Sequence, residues 1–108
     1  MGEPLQIDVE ELDRRRKARD AIVVLDVREP WETDLCAIDG SLLIPMSQVP
    51  QRIAEVSTDH PIAVLCHHGG RSAMVTNWLR QHGYDRAINV EGGIDAWARR
   101  IDSSMRTY

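Results

Sequence analysis

The sequence predicts an α/β domain with a mainly parallel sheet that is covered by helices on both faces. Short apolar segments alternate with segments of helical periodicity, which is typical of this class. The two clearest apolar segments, 22–25 and 62–65, are continuous and rich in β-branched residues, as expected for strands buried on both faces. The chain has 108 residues, of which 28% are charged, and this suffices for one domain with a modest core.

In the first third of the chain, a helix precedes the first buried strand. Asp8 followed by Glu11 forms a capping box, which predicts a helix over 9–19. The strand at 22–25 comes next, and Pro30 then begins a turn or a short helix.

Between the two clearest strands we expect a short strand and a further helix. The strand lies at 42–44, and the helix covers about 48–56 with Ser47 as its cap. After the strand at 62–65, the periodicity predicts a helix over 71–82 that is ended by Gly83.

A short strand at 88–90 and a helix opened by Gly92 and Gly93 complete the predicted elements. The tail at about 102–108 is polar, and we expect it to fray. Residues 1–108 are therefore expected to form a single domain.

The composition excludes several classes of protein. The formal net charge of -4 argues against a nucleic-acid-binding protein, and no apolar run approaches the roughly 18 residues of a membrane span. The N-terminus lacks a basic region followed by a hydrophobic stretch, so we expect no signal peptide. Two cysteines do not make a disulfide framework, which favours the cytoplasm, where a cysteine is kept more often for its reactivity.

The segment that joins the strand at 62–65 to the following helix is the predicted reactive centre. It consists of Cys66, His67, His68, Gly69, Gly70, Arg71 and Ser72. In parallel sheets, sites form in loops beyond the carboxyl ends of strands. A cysteine in this place faces a helix N-terminus, whose free N–H groups and partial positive charge favour the thiolate.

Four residues of this loop suit the binding of an anion. Gly69 and Gly70 let the backbone curl so that successive amides point inward. Arg71 brings a permanent charge with a fork that matches oxyanions, and Ser72 either caps the helix or donates a hydroxyl hydrogen bond. We expect Arg71→Ala to weaken the use of a substrate more than stability.

The adjacent pair His67 and His68 has two interpretations. Within the loop, the two side chains add donors and partial charge at its mouth. Together with Cys66 they are also possible metal ligands, but adjacent residues rarely converge on one tetrahedral ion. We therefore predict neither a metal nor a cofactor.

Four segments, in order along the chain, resemble the rhodanese-like domain family of sulfurtransferases. They are 24–32, 38–46, 66–72 and 89–97. The resemblance implies a five-stranded parallel sheet flanked by helices, with Cys66 as nucleophile and residues 67–72 around the substrate. It also implies that Cys66 takes sulfur as a persulfide from a small anionic donor such as thiosulfate and passes it to cyanide or a thiol, including a thiol of a protein.

The spacing between Cys66 and Arg71 bears on the reaction class. Four residues separate them here. Sulfurtransferases of the family have four, whereas the related cell-division-cycle phosphatases and arsenate reductases have five and a wider pocket. The spacing thus favours sulfur transfer over a phosphatase or arsenate reductase. A non-catalytic persulfide relay or redox-sensing module that binds a protein partner is a further alternative.

Several other residues carry less specific expectations. Cys36 is either a second thiol, which receives sulfur or closes a disulfide with Cys66, or a buried bystander. Asp26 and Arg28 are expected to form a structural ion pair or a hydrogen-bonded turn rather than to serve the reaction. Trp97, like Trp78, is expected to pack in the core, and Trp31 lies either at the pocket rim or in the packing.

Overall fold

The computed structural model describes residues 2–108, which form five strands and five helices. The strands are β1 (Gln6–Ile7), β2 (Val23–Asp26), β3 (Leu42–Leu43), β4 (Ile62–Leu65) and β5 (Ala87–Val90). The helices are α1 (Val9–Lys17), α2 (Pro30–Leu35), α3 (Val49–Arg52), α4 (Gly70–Gln81) and α5 (Gly93–Arg100). None of the helices in this described part of the chain is long and apolar enough to span a bilayer.

The five strands form one sheet in the order β1-β5-β4-β2-β3, and every neighbouring pair is parallel. This confirms the predicted five-stranded parallel sheet. Because the carboxyl ends of parallel strands meet at one edge, the segments that follow β2, β4 and β5 converge there.

Side chains of the central strand β4 alternate between two apolar layers. Ala63 and Leu65 face a layer completed by α1 and α5, whereas Ile62 and Val64 face a layer completed by α3 and α4. Both faces are thus buried, which explains the continuous apolar run and confirms helices on both sides of the sheet. Cys66 continues the alternation, and its side chain belongs to the layer of α4.

The start of α1 was predicted correctly. The Asp8 carboxylate accepts a hydrogen bond of 2.8 Å from the Glu11 amide, as a cap does. The helix ends at Lys17, two residues earlier than expected, because Arg19 takes a left-handed φ of 59° that no α-helix can contain. Leu12, on its inner face, is fully buried.

The helix predicted over 48–56 is wrong in form. The segment instead contains the four-residue α3 between two 3₁₀ turns, Met46–Gln48 and Ile53–Glu55. Ser47 does not cap a helix, and no other side chain caps α3. Without a cap a helix this short is costly to nucleate, so the burial of residues such as Val49 holds the segment instead.

The polar tail does not fray as expected. Ser104 donates both its amide and its hydroxyl to the Asp102 carboxylate, which forms a turn. Met105 and Tyr108 then pack against the layer of α1 and α5. Two apolar side chains within an otherwise polar segment are enough to dock it, because each finds a surface to cover.

Candidate active site

The predicted loop lies between β4 and α4, at the carboxyl edge of the sheet. Helix α4 begins at Gly70, one residue earlier than expected, and Gly69 precedes it with a φ of 115°. This left-handed backbone is one that glycine adopts readily. The backbone angle rather than the space requires glycine here, since an added Cβ would be in ordinary van der Waals contact, 3.5 Å from the amide nitrogen of Gly92.

The sulfur of Cys66 lies at the base of the loop, and only 1% of the residue is exposed. The amide of Gly69 donates to Sγ at 3.0 Å, and the hydroxyl oxygen of Ser72 lies 3.2 Å from it. An amide that points at sulfur from the first turn of a helix stabilises a sulfur anion. The geometry therefore suits a thiolate or a persulfide at Cys66.

Ser72 is the third residue of α4 and does not cap it. Its hydroxyl donates to the Asn89 side-chain oxygen at 2.5 Å. Of the two roles expected for Ser72, the structure shows the hydroxyl hydrogen bond, with Asn89 of β5 as its partner. Both side chains are buried, so no bulk water competes for these groups.

The N-terminus of α5 holds the same loop from the other side of the sheet. The amides of Ile94 and Asp95 donate to the carbonyls of Cys66 and His67 at 2.8 and 3.1 Å. Gly93, which precedes them, has a φ of 58°, and an added Cβ would lie 2.5 Å from the His67 carbonyl oxygen. The loop and α5 can approach this closely only because residue 93 is glycine.

Arg71 does not extend freely into the site. Its guanidinium donates two hydrogen bonds, of 2.6 and 2.8 Å, to the two carboxylate oxygens of Glu32 in α2. The Glu32 side chain is 3% exposed and that of Arg71 34%. Hydrogen bonds from Arg71, Tyr108 and the Glu29 amide outweigh burial and lower the pKa of Glu32 to about 2.

The two histidines at the mouth differ in their surroundings. The ring of His67 stacks on Tyr108 with 3.9 Å between centroids, and its Nε2 is the one buried side-chain nitrogen or oxygen among residues 2–108 without a partner. Burial, and after it the charge of His68, lowers the pKa of His67 below 6.5, so this ring is neutral at neutral pH. His68 is two-thirds exposed, with Nδ1 3.9 Å from the Asp95 carboxylate.

A buried ion pair lies beside this group, as expected for Asp26 and Arg28. Both side chains are fully buried, and they are joined at 2.7 Å. Arg28 also donates to the Tyr108 hydroxyl at 3.1 Å. Burial works against the charge of Arg28, but the hydrogen bonds with Asp26 and Tyr108 outweigh it and raise the pKa of Arg28. Burial also raises the pKa of Tyr108 to about 12.

Three residues of this site were not predicted from the sequence: Glu32, Asn89 and Tyr108. Glu32 and Asn89 lie in segments that carry the family resemblance, but their partners are 39 and 17 residues away in the chain. Tyr108 lies in the tail, where no periodicity marks it. The one available signal was its aromatic character in an otherwise polar segment.

The three tryptophans and Cys36 differ in how far they are buried. Trp31 is 62% exposed and meets the edge of the Tyr108 ring, whereas Trp97 is buried as expected. Trp78 is half-buried and stacks on the His82 ring. Cys36 is half-buried, with Sγ 3.9 Å from a nitrogen of Arg28, and both cysteines are free.

No metal centre is formed within residues 2–108. No three side chains of the kinds that bind metals (His, Cys, Asp and Glu) come together there. Cys66 and the two histidines are adjacent in sequence but serve different contacts, with the sulfur facing α4 and the His67 ring facing Tyr108.

Comparison with known proteins gives a consistent result. Residues 8–100 match the rhodanese-like domain family. A sulfurtransferase of Allochromatium vinosum is 36% identical over 94 residues, which are 87% of this chain and 88% of that protein. The thiosulfate sulfurtransferase GlpE of Tolumonas auensis is 26% identical over 77 residues, which are 71% of this chain and 73% of that protein.

The same relationship is found among solved structures. A rhodanese-related protein of Thermoplasma volcanium superposes with a TM-score of 0.83 at 36% identity, covering 91% of this chain and 94% of that one. Several other relatives are longer, and this chain spans 24% to 52% of their length.

Proposed function

The chain belongs to the rhodanese-like domain family, and on that premise we propose that it is a sulfurtransferase in which Cys66 carries sulfur as a persulfide. The observation that carries the proposal is the contact of the Gly69 amide with Cys66 Sγ at 3.0 Å, in a loop between β4 and α4. A thiolate held in this way is a nucleophile. A persulfide on the same atom is also an anion and is stabilised by the same kind of hydrogen-bond donor.

The proposed reaction has two steps. With thiosulfate as donor, the Cys66 thiolate attacks the sulfane sulfur, a new S–S bond forms, and sulfite leaves with the electron pair of the broken bond. In the second step cyanide or a thiolate attacks the outer sulfur, and the Cys66 thiolate leaves with the electron pair. Thiocyanate or an acceptor persulfide is the product, and no external oxidant or reductant is needed.

The loop residues have distinct places in this proposal. Gly69 and Gly70 shape the turn that aims an amide at the sulfur, and Ser72 lies beside the same atom. His67 and His68 form the mouth through which a donor enters. Arg71 positions the loop through its contact with Glu32. About one third of the Arg71 side chain is exposed, and this part can still attract an anionic donor.

The two cysteines allow a matched test. After treatment of the reduced protein with thiosulfate, mass spectrometry is expected to show one added sulfur on Cys66. Cys66→Ser is expected to lose both this sulfur and the formation of thiocyanate, while Cys36→Ser keeps both. Loading that persists in Cys66→Ser, or that moves to Cys36, would falsify the assignment.

A second candidate function, a persulfide relay to a protein thiol, is favoured by the weak positive charge at the mouth. Arg71 is bound to Glu32, and His67 is neutral at neutral pH. A dianionic donor is therefore attracted less than the sequence predicts. Comparison of turnover with thiosulfate and cyanide against transfer from loaded Cys66 to a cysteine-containing acceptor protein separates the two functions.

The cytoplasm is the compartment that we infer for this chemistry. A thiol that must be free at the start of each cycle requires a reducing setting, which the cytoplasm provides.

A further inference from the structure

A chain of hydrogen bonds leads from the Cys66 sulfur to the exposed edge of the sheet. Ser72 Oγ lies 3.2 Å from Sγ, and its hydroxyl donates to Asn89 Oδ1 at 2.5 Å. Asn89 Nδ2 in turn donates to Gln6 Oε1 at 3.0 Å. Asn89 in β5 and Gln6 in β1 are direct partners in the parallel pairing, so the sheet itself aligns the two amides.

The direction of these hydrogen bonds fits a protonated Cys66. The Ser72 hydroxyl has one proton, and Asn89 accepts it. Towards the sulfur, Ser72 therefore presents only a lone pair, which can accept a hydrogen bond from S–H but repels a thiolate. The Ser72 contact thus suits the thiol and disfavours the anion, whereas the Gly69 amide on the same sulfur favours the anion.

A thiolate or a persulfide anion requires the opposite direction. Ser72 must then donate to sulfur, and its oxygen must accept from Asn89. A half-turn of the Asn89 amide achieves this without a change of shape, because the oxygen and the NH₂ group exchange places. Asn89 Oδ1 then faces Gln6, whose exposed side chain can turn and donate to it.

We propose that Asn89 is a positioning residue that switches Ser72 between accepting from the Cys66 thiol and donating to the Cys66 anion. The thiol proton goes to solvent, and the two amides turn without being chemically changed. Ser72 is 0% exposed and Asn89 5% exposed, so bulk water cannot replace Asn89 as the hydrogen-bond partner of Ser72. This proposal deepens the proposed function. Only its statement about the persulfide anion rests on that function, whereas its statement about the thiol and the thiolate does not.

Asn89→Leu tests the switch, because leucine has a similar size and neither donor nor acceptor. The measurement is the pH midpoint of Cys66 alkylation by iodoacetamide in a Cys36→Ser background, where one thiol remains. In the anionic state the Ser72 hydroxyl donates to a charged sulfur, and the Asn89 NH₂ group that holds Ser72 in this direction also strengthens that bond by polarisation. The loss of Asn89 therefore costs the thiolate more than the thiol. We expect the midpoint to rise by about 0.4 to 1 unit. The matched control Asn77→Leu, on the exposed side of α4, leaves it unchanged.

A double-mutant cycle shows whether Asn89 acts through Ser72. In a Ser72→Ala background, Asn89→Leu is expected to have no further effect on the midpoint. The proposal is overturned by an unchanged midpoint in the presence of Ser72, or by an equal rise in its absence, which would mean that Asn89 acts by packing alone.

If melting shows that Asn89→Leu does not fold, Asn89→Asp keeps the shape and, when ionised, can only accept. Its rise in midpoint is expected to be larger with Ser72 than with Ala at position 72, and equal rises would overturn the proposal. Alkylation needs only the thiol. If the wild-type protein fails to load sulfur, the proposed function is contradicted, but the alkylation midpoints can still be measured and still test the role of Asn89.

Discussion

The guanidinium of Arg71 is held by Glu32 across two hydrogen bonds, and this contact joins two residues that are 39 positions apart. Glu32 is almost fully buried, so it depends on Arg71 for its charge balance. The sequence predicted that Arg71 mainly attracts substrate. The structure assigns it a second part, which is to fasten the loop to α2.

Arg71→Ala is therefore expected to lower stability as well as donor use. Removal of the guanidinium leaves a buried carboxylate without a cation, which we expect to cost about 2 kcal/mol, since the arginine side is partly exposed. Urea denaturation measures the loss. Arg71→Ala with Glu32→Gln restores part of it, because no charge then stays unpaired. An unchanged denaturation midpoint in Arg71→Ala contradicts the fastening role.

The hydroxyl of Tyr108 joins both buried ion pairs, because it donates to Glu32 at 2.6 Å and accepts from Arg28 at 3.1 Å. Tyr108→Phe removes these bonds but keeps the ring that covers His67. We expect a loss of about 1 to 2 kcal/mol in the free energy of unfolding, since both partners are charged. Tyr84→Phe, which loses one bond to the neutral Ile53 carbonyl, is the control and is expected to lose less. Equal losses in the two variants would show that the charged partners add nothing.

At the scale of elements, the N-termini of two helices contact different parts of the loop. Helix α4 faces the sulfur with the amide before its first residue, and α5 binds the two loop carbonyls. With the carbonyls of Cys66 and His67 bound to α5, the chain curls back two residues later and presents the Gly69 amide to the sulfur. The shape of the loop thus depends on the position of α5 as much as on the glycines within the loop.

Gly93→Ala is expected to abolish sulfur loading and to destabilise the protein by more than about 2 kcal/mol. The added Cβ collides with the carbonyls of Cys66 and His67, and a φ of 58° is strained for alanine. Gly83→Ala separates the two causes. It has a φ of 92° and open space around it, so only the strain of about 1 kcal/mol is expected there. Thermal melting and persulfide mass spectrometry check both variants, and similar behaviour of the two would exclude the collision as the cause.

For the molecule as a whole, the depressed pKa of Glu32 makes stability depend on pH in the acidic range. The folded pKa is about 2 and the ordinary value 4.5, so the stabilisation is full above pH 4.5 and is lost as the pH falls through about 2. We expect the free energy of unfolding to fall more steeply over this range in the wild type than in Glu32→Gln. Denaturation at several pH values measures the difference, and parallel curves would contradict the assignment.

Much of this molecule could be predicted from local patterns. The buried strands were visible as continuous apolar runs, the start of α1 as a capping box, and the loop as a cysteine beside two glycines and an arginine. Two contacts could not be predicted: the pairing of Glu32 with Arg71 and the docking of Tyr108. Both depend on which strand ends meet at one edge of the sheet. The broken helix around α3 was missed because apolar spacing alone does not show the absence of a cap.

The neighbouring positions of β1 and β5 have a consequence for the order in which the protein is made. Gln6 and Asn89 are 83 residues apart, yet their side chains are hydrogen-bonded to one another close to Cys66. On the ribosome, β1 leaves first and waits without its sheet partner until β5 has been synthesised. The side-chain amides of Gln6 and Asn89 can therefore meet only after β5 has been synthesised, and a nascent chain that still lacks β5 holds Cys66 without the partner of Ser72.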